Sequence, residues 1–325
     1  MNKTRHLWQA VLVLIVLTVP QYAQARKWGD VNNDDKVNIN DVTTLINYVL
    51  AGECPFDDFT YADLDHDWEL GIGDVTSLIQ MLLTTYSGAD RITYTVNGVR
   101  FTMCRVEGGT FMMGSHLPSL EFGYETSPVH PVTLSTYYIG QTMLTWEMWN
   151  AVMGPVTGYV DITGMEKRPC RGAYYRLYET FCDKLSYLTG TKFRVATEAE
   201  WEFAARGGNL SHGYLYAGSD NYEDVAGYYD RDGYDVGMYQ PNELGLYDMT
   251  GNGYEMVMDY AYLYSEVATE EPLVNPCFIY YEGSSGRMYR SGAGDSGTVY
   301  YRYSVPLSLD AGALIGVRIV MVVDE

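Results

Sequence analysis

Residues 29–50 read GDVNNDDKVNINDVTTLINYVL, and residues 62–83 read ADLDHDWELGIGDVTSLIQMLL. The first stretch places Asp30, Asn32, Asp34 and Asp41 at positions 1, 3, 5 and 12 of a loop, and the second places Asp63, Asp65, Asp67 and Asp74 at the same four positions. Lys36 and Glu69 stand at position 7, which lends a backbone carbonyl. A hard cation such as calcium takes about six to eight oxygens, and this spacing curls alternate carboxylates around one ion. Position 8 is apolar in both loops (Val37, Leu70), as is position 10 (Ile39, Ile72), so these side chains are expected to pack. Each loop runs into an apolar segment, Val42–Leu50 and Val75–Leu83, expected to be helical. Two such units at a fixed period of 33 residues mark a duplication. Position 6, where the turn favours glycine, is Asp35 in one loop and Trp68 in the other.

This duplicated loop and helix resembles the dockerin module, a small all-α, calcium-folded unit with paired EF-hand-type loops. The resemblance spans residues 29–86 and implies a cohesin-like docking partner, with calcium as the cofactor.

Upstream, Lys3 and Arg5 precede an apolar run from Ala10 to Val19 and then Ala23-Gln24-Ala25. That pattern reads as a secretory signal peptide over residues 1–25, too short for a membrane span. The expected location is extracytoplasmic: secreted, periplasmic or associated with the cell surface. The formal charge of the chain is -21, and residues 30–74 hold twelve Asp and Glu against one Lys. Nucleic acid is therefore excluded as a natural partner. Cys54, Cys104, Cys170, Cys182 and Cys277 are odd in number and widely spaced. Export permits disulfides, and Cys170 with Cys182 is the favoured pair, although spacing alone does not fix connectivity.

From residue 93 onward the chain reads as irregular α+β, rich in Gly, Tyr and Asp turns. Thr93–Arg105 is strand-like. Thr145 opens a helix that reaches Val152, and Thr197 opens another with Glu200 in capping-box position. Four stretches resemble the formylglycine-generating enzyme family, also called the sulfatase-modifying-factor domain. They are VEGGTFMMGS (106–115), PVHPVTLSTYYIG (128–140), FRVATEAEWEFAARGG (193–208) and PNELGLYDMTGNGYEM (241–256). The resemblance implies a loop-rich, C-type-lectin-like domain over residues 93–325. It also implies a calcium site built from the carboxylates of Asp248 and Glu255 with the carbonyls of Gly251 and Gly253.

Oxidising members of that family hold copper(I) with two cysteines near the C-terminus, because soft thiolates suit that ion. Residues 290–318 contain no cysteine. Aligning Tyr301-Arg302-Tyr303 with the family's Y-R-Y puts Asp295 and Tyr300 at the two thiol positions. The family's W-E-W is here Tyr254-Glu255-Met256, and R-G-G-S-W is Arg290-Ser291-Gly292-Ala293-Gly294. Past the leader, His66, His116, His130 and His212 show neither zinc-ligand nor triad spacing.

The chain has 31 tyrosines. Tyr289, Tyr300, Tyr301 and Tyr303 with Asp295 form a candidate ligand-binding strip, since Tyr among Ser and Gly builds adaptable contact surfaces. Core filling accounts for the same tyrosines equally well. The favoured reading is a non-catalytic binding protein for a glycan or protein, with diversified C-type-lectin display proteins as a variant. The alternative is an oxidoreductase of the formylglycine-generating enzyme family using a non-standard site.

Overall fold

The computed structural model describes residues 29–34, 36–52, 62–64, 69–86, 90–117, 125–155, 162–227, 233–279, 286–292, 297–306 and 315–323. The expected leader, Asp35, Cys54, Asp65, His66, Asp67, Trp68 and Asp295 lie outside them. The chain is α+β.

Helix α1 spans Ile39–Ala51 and α2 spans Ile72–Tyr86, each starting three residues before the expected Val42 or Val75. The reason is local. Asn38 caps α1, and Asp41 at N3 returns a hydrogen bond to the cap backbone, so the carboxylate at loop position 12 forms half of a capping box. Val31, Val42 and Leu45 pack with Leu64, Val75 and Leu78, their counterparts one repeat later, and with Ala62. Val37 and Leu70 lie partly buried against this cluster. The position-10 side chains do not pack: Ile39 is 66% exposed and Ile72 is 74% exposed. Each is the first residue of its helix and faces solvent, so the expectation for them is corrected.

The segment read as one strand over Thr93–Arg105 is a hairpin: β1 (Arg91–Val96) and β2 (Val99–Val106) pair antiparallel. Asn97 (φ 46°) and Gly98 (φ 82°) form its two-residue turn, with the double positive φ that favours Asn-Gly. A five-stranded sheet continues from it in the order β1-β2-β5-β12-β6, with β5 at Tyr137–Gly140, β6 at Phe193–Val195 and β12 at Ile319–Met321. Its two faces feed two cores. Met103, Tyr138, Ile319 and Met321 join α3 (Trp146–Met153) and α4 (Tyr175–Thr189) on one side. Cys104, Tyr137, Ile139 and Val320 join α5 (Glu198–Ala205) on the other. Strands β5 and β12 are covered on both faces, which is why they read as unbroken apolar runs rather than alternating ones.

Among the described residues there are two further sheets. One is β3 (Gly109–Met113), β4 (His130–Leu134) and β8 (Leu273–Val274). The other runs β10-β9-β7-β11, with β7 at Tyr254–Tyr260, β9 at Gly286–Arg290, β10 at Arg302–Pro306 and β11 at Ile315–Val317, the last parallel to β7. Shorter pieces follow α5: a 3-10 turn at Gly208–Leu210 and the single-turn helices α6 (Tyr222–Val225) and α7 (Tyr264–Val267). Helix α4 escaped the sequence reading because its cap, Tyr174, makes no side-chain capping bond. The capping residues Thr145 and Thr197 stand where expected. Cys104, Cys170, Cys182 and Cys277 are free thiols, so the expected Cys170–Cys182 bridge is not formed.

Candidate functional site

Every residue of α5 is buried or nearly so, and its inner face carries carboxylates. Glu198 and Glu202 are fully buried, four residues apart on one face. Strands β9 and β10 bring Arg290 and Arg302 against them, both fully buried. Arg302 reaches Glu198 through Nε and Nη2 at 2.8 Å each, while Arg290 bridges Glu198 at 3.1 Å and Glu202 at 2.8 Å. Arg206 closes the chain on Glu202 at 2.7 Å. Burial alone would raise the two carboxyls, but Arg302 and Arg290 on Glu198, and Arg206 and Arg290 on Glu202, outweigh it and hold both below their ordinary values. The guanidinium of Arg302 also lies 3.8 Å from the centre of the Tyr264 ring.

Asp259 on β7 accepts the backbone N–H groups of Glu198 and Phe278 at 2.7 and 2.8 Å. Burial, reinforced by the neighbouring Glu198 charge, pushes its carboxyl up to about 7. The sequence reading missed this network. Arg206 is four residues from Glu202, but Arg290 and Arg302 are separated from their carboxylates by 88 residues or more, so no local spacing announces those pairs.

The glycine loop, residues 248–253, precedes β7. Asp248, Gly251, Asn252 and Gly253 all have positive φ, which curls the backbone tightly. Gly251 is obligatory there, since a Cβ would sit 2.7 Å from the Cβ of Ala226. Asn252 braces the curl by bonding the N–H and C=O of Tyr234 at 3.0 and 3.1 Å. Asp248 is buried; its Oδ2 accepts from the Gly237 N–H at 2.9 Å and its Oδ1 has no hydrogen-bond partner. Burial pushes its carboxyl up to about 6.

Glu255 is engaged by the core on its other side. Its carboxylate takes three bonds from Arg318, the shortest 2.7 Å, and a fourth from Trp201 Nε1 at 2.8 Å. A carboxylate offers about four lone-pair sites, so this one is filled. The Gly251 carbonyl already accepts from Ser291 Oγ at 3.3 Å. Asp248 and the Gly253 carbonyl alone fall far short of the oxygens calcium requires. In this structure Glu255 is the counter-ion of Arg318.

In the repeat module, Asp30, Asp41, Asp63 and Asp74 are buried. Asp41 accepts from the N–H groups of Asn32 and Asn38 at 3.0 and 2.8 Å, and Asp74 from those of Leu64 and Gly71 at 2.6 and 2.8 Å. Asp34 accepts from Lys36 N and Asn32 Oδ1 from Asp34 N, side-chain-to-backbone turns within the loop.

The tyrosine strip divides. Tyr289 is 1% exposed inside the first core, and Tyr301 is 5% exposed, so neither presents a contact surface. Burial, with Tyr254 and Tyr303 close by, pushes Tyr301 up to about 12. Tyr300 and Tyr303 are half-buried, and the Tyr303 ring lies 6.4 Å from that of Tyr254. His130 is buried edge-on to Tyr264 at 4.7 Å, a packing role.

Small sheets wrapped by long loops, a carboxylate-lined helix and a glycine curl leading into β7 define a C-type-lectin-like domain of the formylglycine-generating type. The chain belongs to the sulfatase-modifying factor enzyme 1-like family, whose domain matches residues 96–305, and a dockerin type I domain matches residues 28–83. Treponema denticola variable protein 1 is similar in structure, with a TM-score of 0.58 and 25% identity over 72% of this chain and 99% of that one. PvdO from Pseudomonas aeruginosa shares the fold, with a TM-score of 0.56 and 22% identity over 71% of this chain and 97% of its own. The serine/threonine-protein kinase pkn1 of Chlamydia pneumoniae is 29% identical over 195 residues, 52% of this chain. This chain spans only 30% of that kinase's length. Among the described residues no helix is long and apolar enough to cross a membrane.

Proposed function

We propose that this chain is an exported docking protein: a calcium-folded module over residues 29–86 attaches it to a cohesin-like partner, and the domain over residues 93–325 binds a glycan or protein without turning it over. The observation that carries the non-catalytic part is what occupies the strip. Where oxidising relatives present thiols, residues 290–318 hold no cysteine, and Arg290 and Arg302 are consumed by Glu198 and Glu202. Such a network braces a surface and offers no redox-active or nucleophilic group. The half-buried Tyr254, Tyr300 and Tyr303 at its edge are the side chains left to meet a ligand.

Two observations support the docking part. Buried carboxylates are costly unless opposite charge joins them, and Asp30, Asn32, Asp34, Lys36 and Asp41 make an all-oxygen set, repeated by Asp63, Asp65, Asp67, Glu69 and Asp74, that suits calcium. Ile39, Ile46 and Leu50 are exposed on α1, and Ile72 and Ile79 at the equivalent places on α2. These are apolar side chains that a partner surface can cover.

Calorimetric titration of calcium into chelator-treated protein tests the module: two binding events are expected, both lost in the Asp30→Ala/Asp63→Ala variant. Incubation with a sulfatase-type cysteine peptide and copper(I) or iron(II) tests the domain. Turnover in that assay would sink the non-catalytic reading.

A further inference from the structure

Strand β5 runs from Tyr137 to Gly140, and its far end meets the glycine loop, where Tyr247 N–H bonds the carbonyl of Gln141 at 2.9 Å. A cleft of about 540 Å³ opens at its near end, away from that loop. This volume falls inside the range of roughly 300–1,000 Å³ typical of small-molecule sites.

The walls decide what could fit. Leu134, Met258, Ile279 and Val323 line the cleft with carbon, and Ile279 is 62% exposed. The charged side chains among its lining residues are Arg194 and Glu200, and they cancel: Nη1 and Nη2 of Arg194 each lie 2.6 Å from a separate Glu200 oxygen. Glu200 also accepts the Thr197 N–H at 2.9 Å as the α5 capping box, so the pair is fixed by the helix start. An ionic ligand would find no net charge to meet, and would lose its hydration on entry.

The lip is preformed as well. Asn275 bonds Ser135 through both its side-chain atoms, at 2.8 and 3.1 Å, and donates its N–H to the Thr133 carbonyl at 2.8 Å. Phe278 is tied by its N–H to Asp259 at 2.8 Å and by its ring to Tyr262 at 4.1 Å. A cleft that needs no ordering costs a ligand less to enter.

We propose that this cleft is a second binding site, taking an uncharged amphipathic small molecule whose apolar body lies against Leu134, Met258, Ile279 and Val323. The polar end of the ligand meets the Arg194–Glu200 pair. Cys277 lines the same cleft as a half-exposed thiol, and its fellow described cysteines Cys104, Cys170 and Cys182 are buried, so it reports on occupancy. The inference does not depend on the docking reading.

The test uses the neutral dye Nile red with the full-length mature chain. Saturable fluorescence enhancement is expected, weakened at least tenfold by Ile279→Glu, which places a carboxylate on the exposed lip without touching the core. Saturating dye is also expected to slow N-ethylmaleimide labelling of Cys277 at least fivefold, read on the Cys277 peptide by mass spectrometry. The anionic dye ANS is expected to bind at least tenfold more weakly than Nile red. Absence of saturable binding, equal binding by folded Ile279→Glu protein, unchanged Cys277 labelling, or tighter binding of ANS would each overturn the proposal.

Discussion

Replacing Glu198 with Gln removes one charge from the centre of the buried network and leaves its shape almost unchanged. In the native protein this carboxylate receives Arg302 Nε and Nη2 at 2.8 Å and Arg290 Nη1 at 3.1 Å, with all three residues fully buried. A carboxamide accepts at one atom and turns an NH₂ toward the guanidinium fork. Arg290 keeps Glu202, and Arg302 keeps the Glu125 carbonyl and the rings of Tyr262 and Tyr264 but loses its carboxylate. Removing one partner of a buried ion pair costs about 3–5 kcal/mol, because the remaining charge stays desolvated. That is about a fifth or more of the total stability of an ordinary domain, which is roughly 5–15 kcal/mol. For a domain of this size the expected fall in Tm is roughly 6–20 °C. Thermal melts followed by near-ultraviolet circular dichroism measure the fall in Tm, denaturant melts give the free energy, and Arg302→Gln with Glu198→Gln/Arg302→Gln completes the double-mutant cycle. A cost below about 1 kcal/mol, or a coupling near zero, would mean that water reaches the network, and would refute the bracing role assigned to it.

Three other outcomes are expected. Asp259 titrates near 7 when folded and near 3.9 when unfolded; between those values the native state holds the extra proton, so stability falls as pH rises, by up to about 1.4 kcal/mol per pH unit. Asp259→Asn should flatten that decline in melts run from pH 4.5 to 7.5. Gly251→Ala, at φ 82° and with its new Cβ 2.7 Å from Ala226, should destabilise the protein by about 2–3 kcal/mol, measured by thermal melting; a neutral effect would show that the curl is soft. Chelation of calcium should erase the helical far-ultraviolet signal of α1 and α2 while the near-ultraviolet tyrosine and tryptophan bands persist, and unchanged helicity would count against calcium folding.

The sequence by itself determined what is local. The repeat at 33 residues, the caps at Thr145 and Thr197 and the motif order from Val106 to Met256 are short-range patterns, because capping and loop ligation are settled within a dozen residues. The same reading did not foresee the arginine that holds Glu255, and it placed Tyr289 and Tyr301 on a surface and Ile39 and Ile72 in a core. In each case residue type was read without the partner that the fold supplies. Arg318 comes to Glu255 from 63 residues away, and Arg302 to Glu198 from 104. The two-sided burial of β5 and β12 could be seen as apolar runs, YYIG and IVM, but which helices cover each face could not. Only the tertiary structure decided which charges cancel, which tyrosines are submerged and which isoleucines remain in water, because burial and charge pairing are properties of the packed chain rather than of its residues in order.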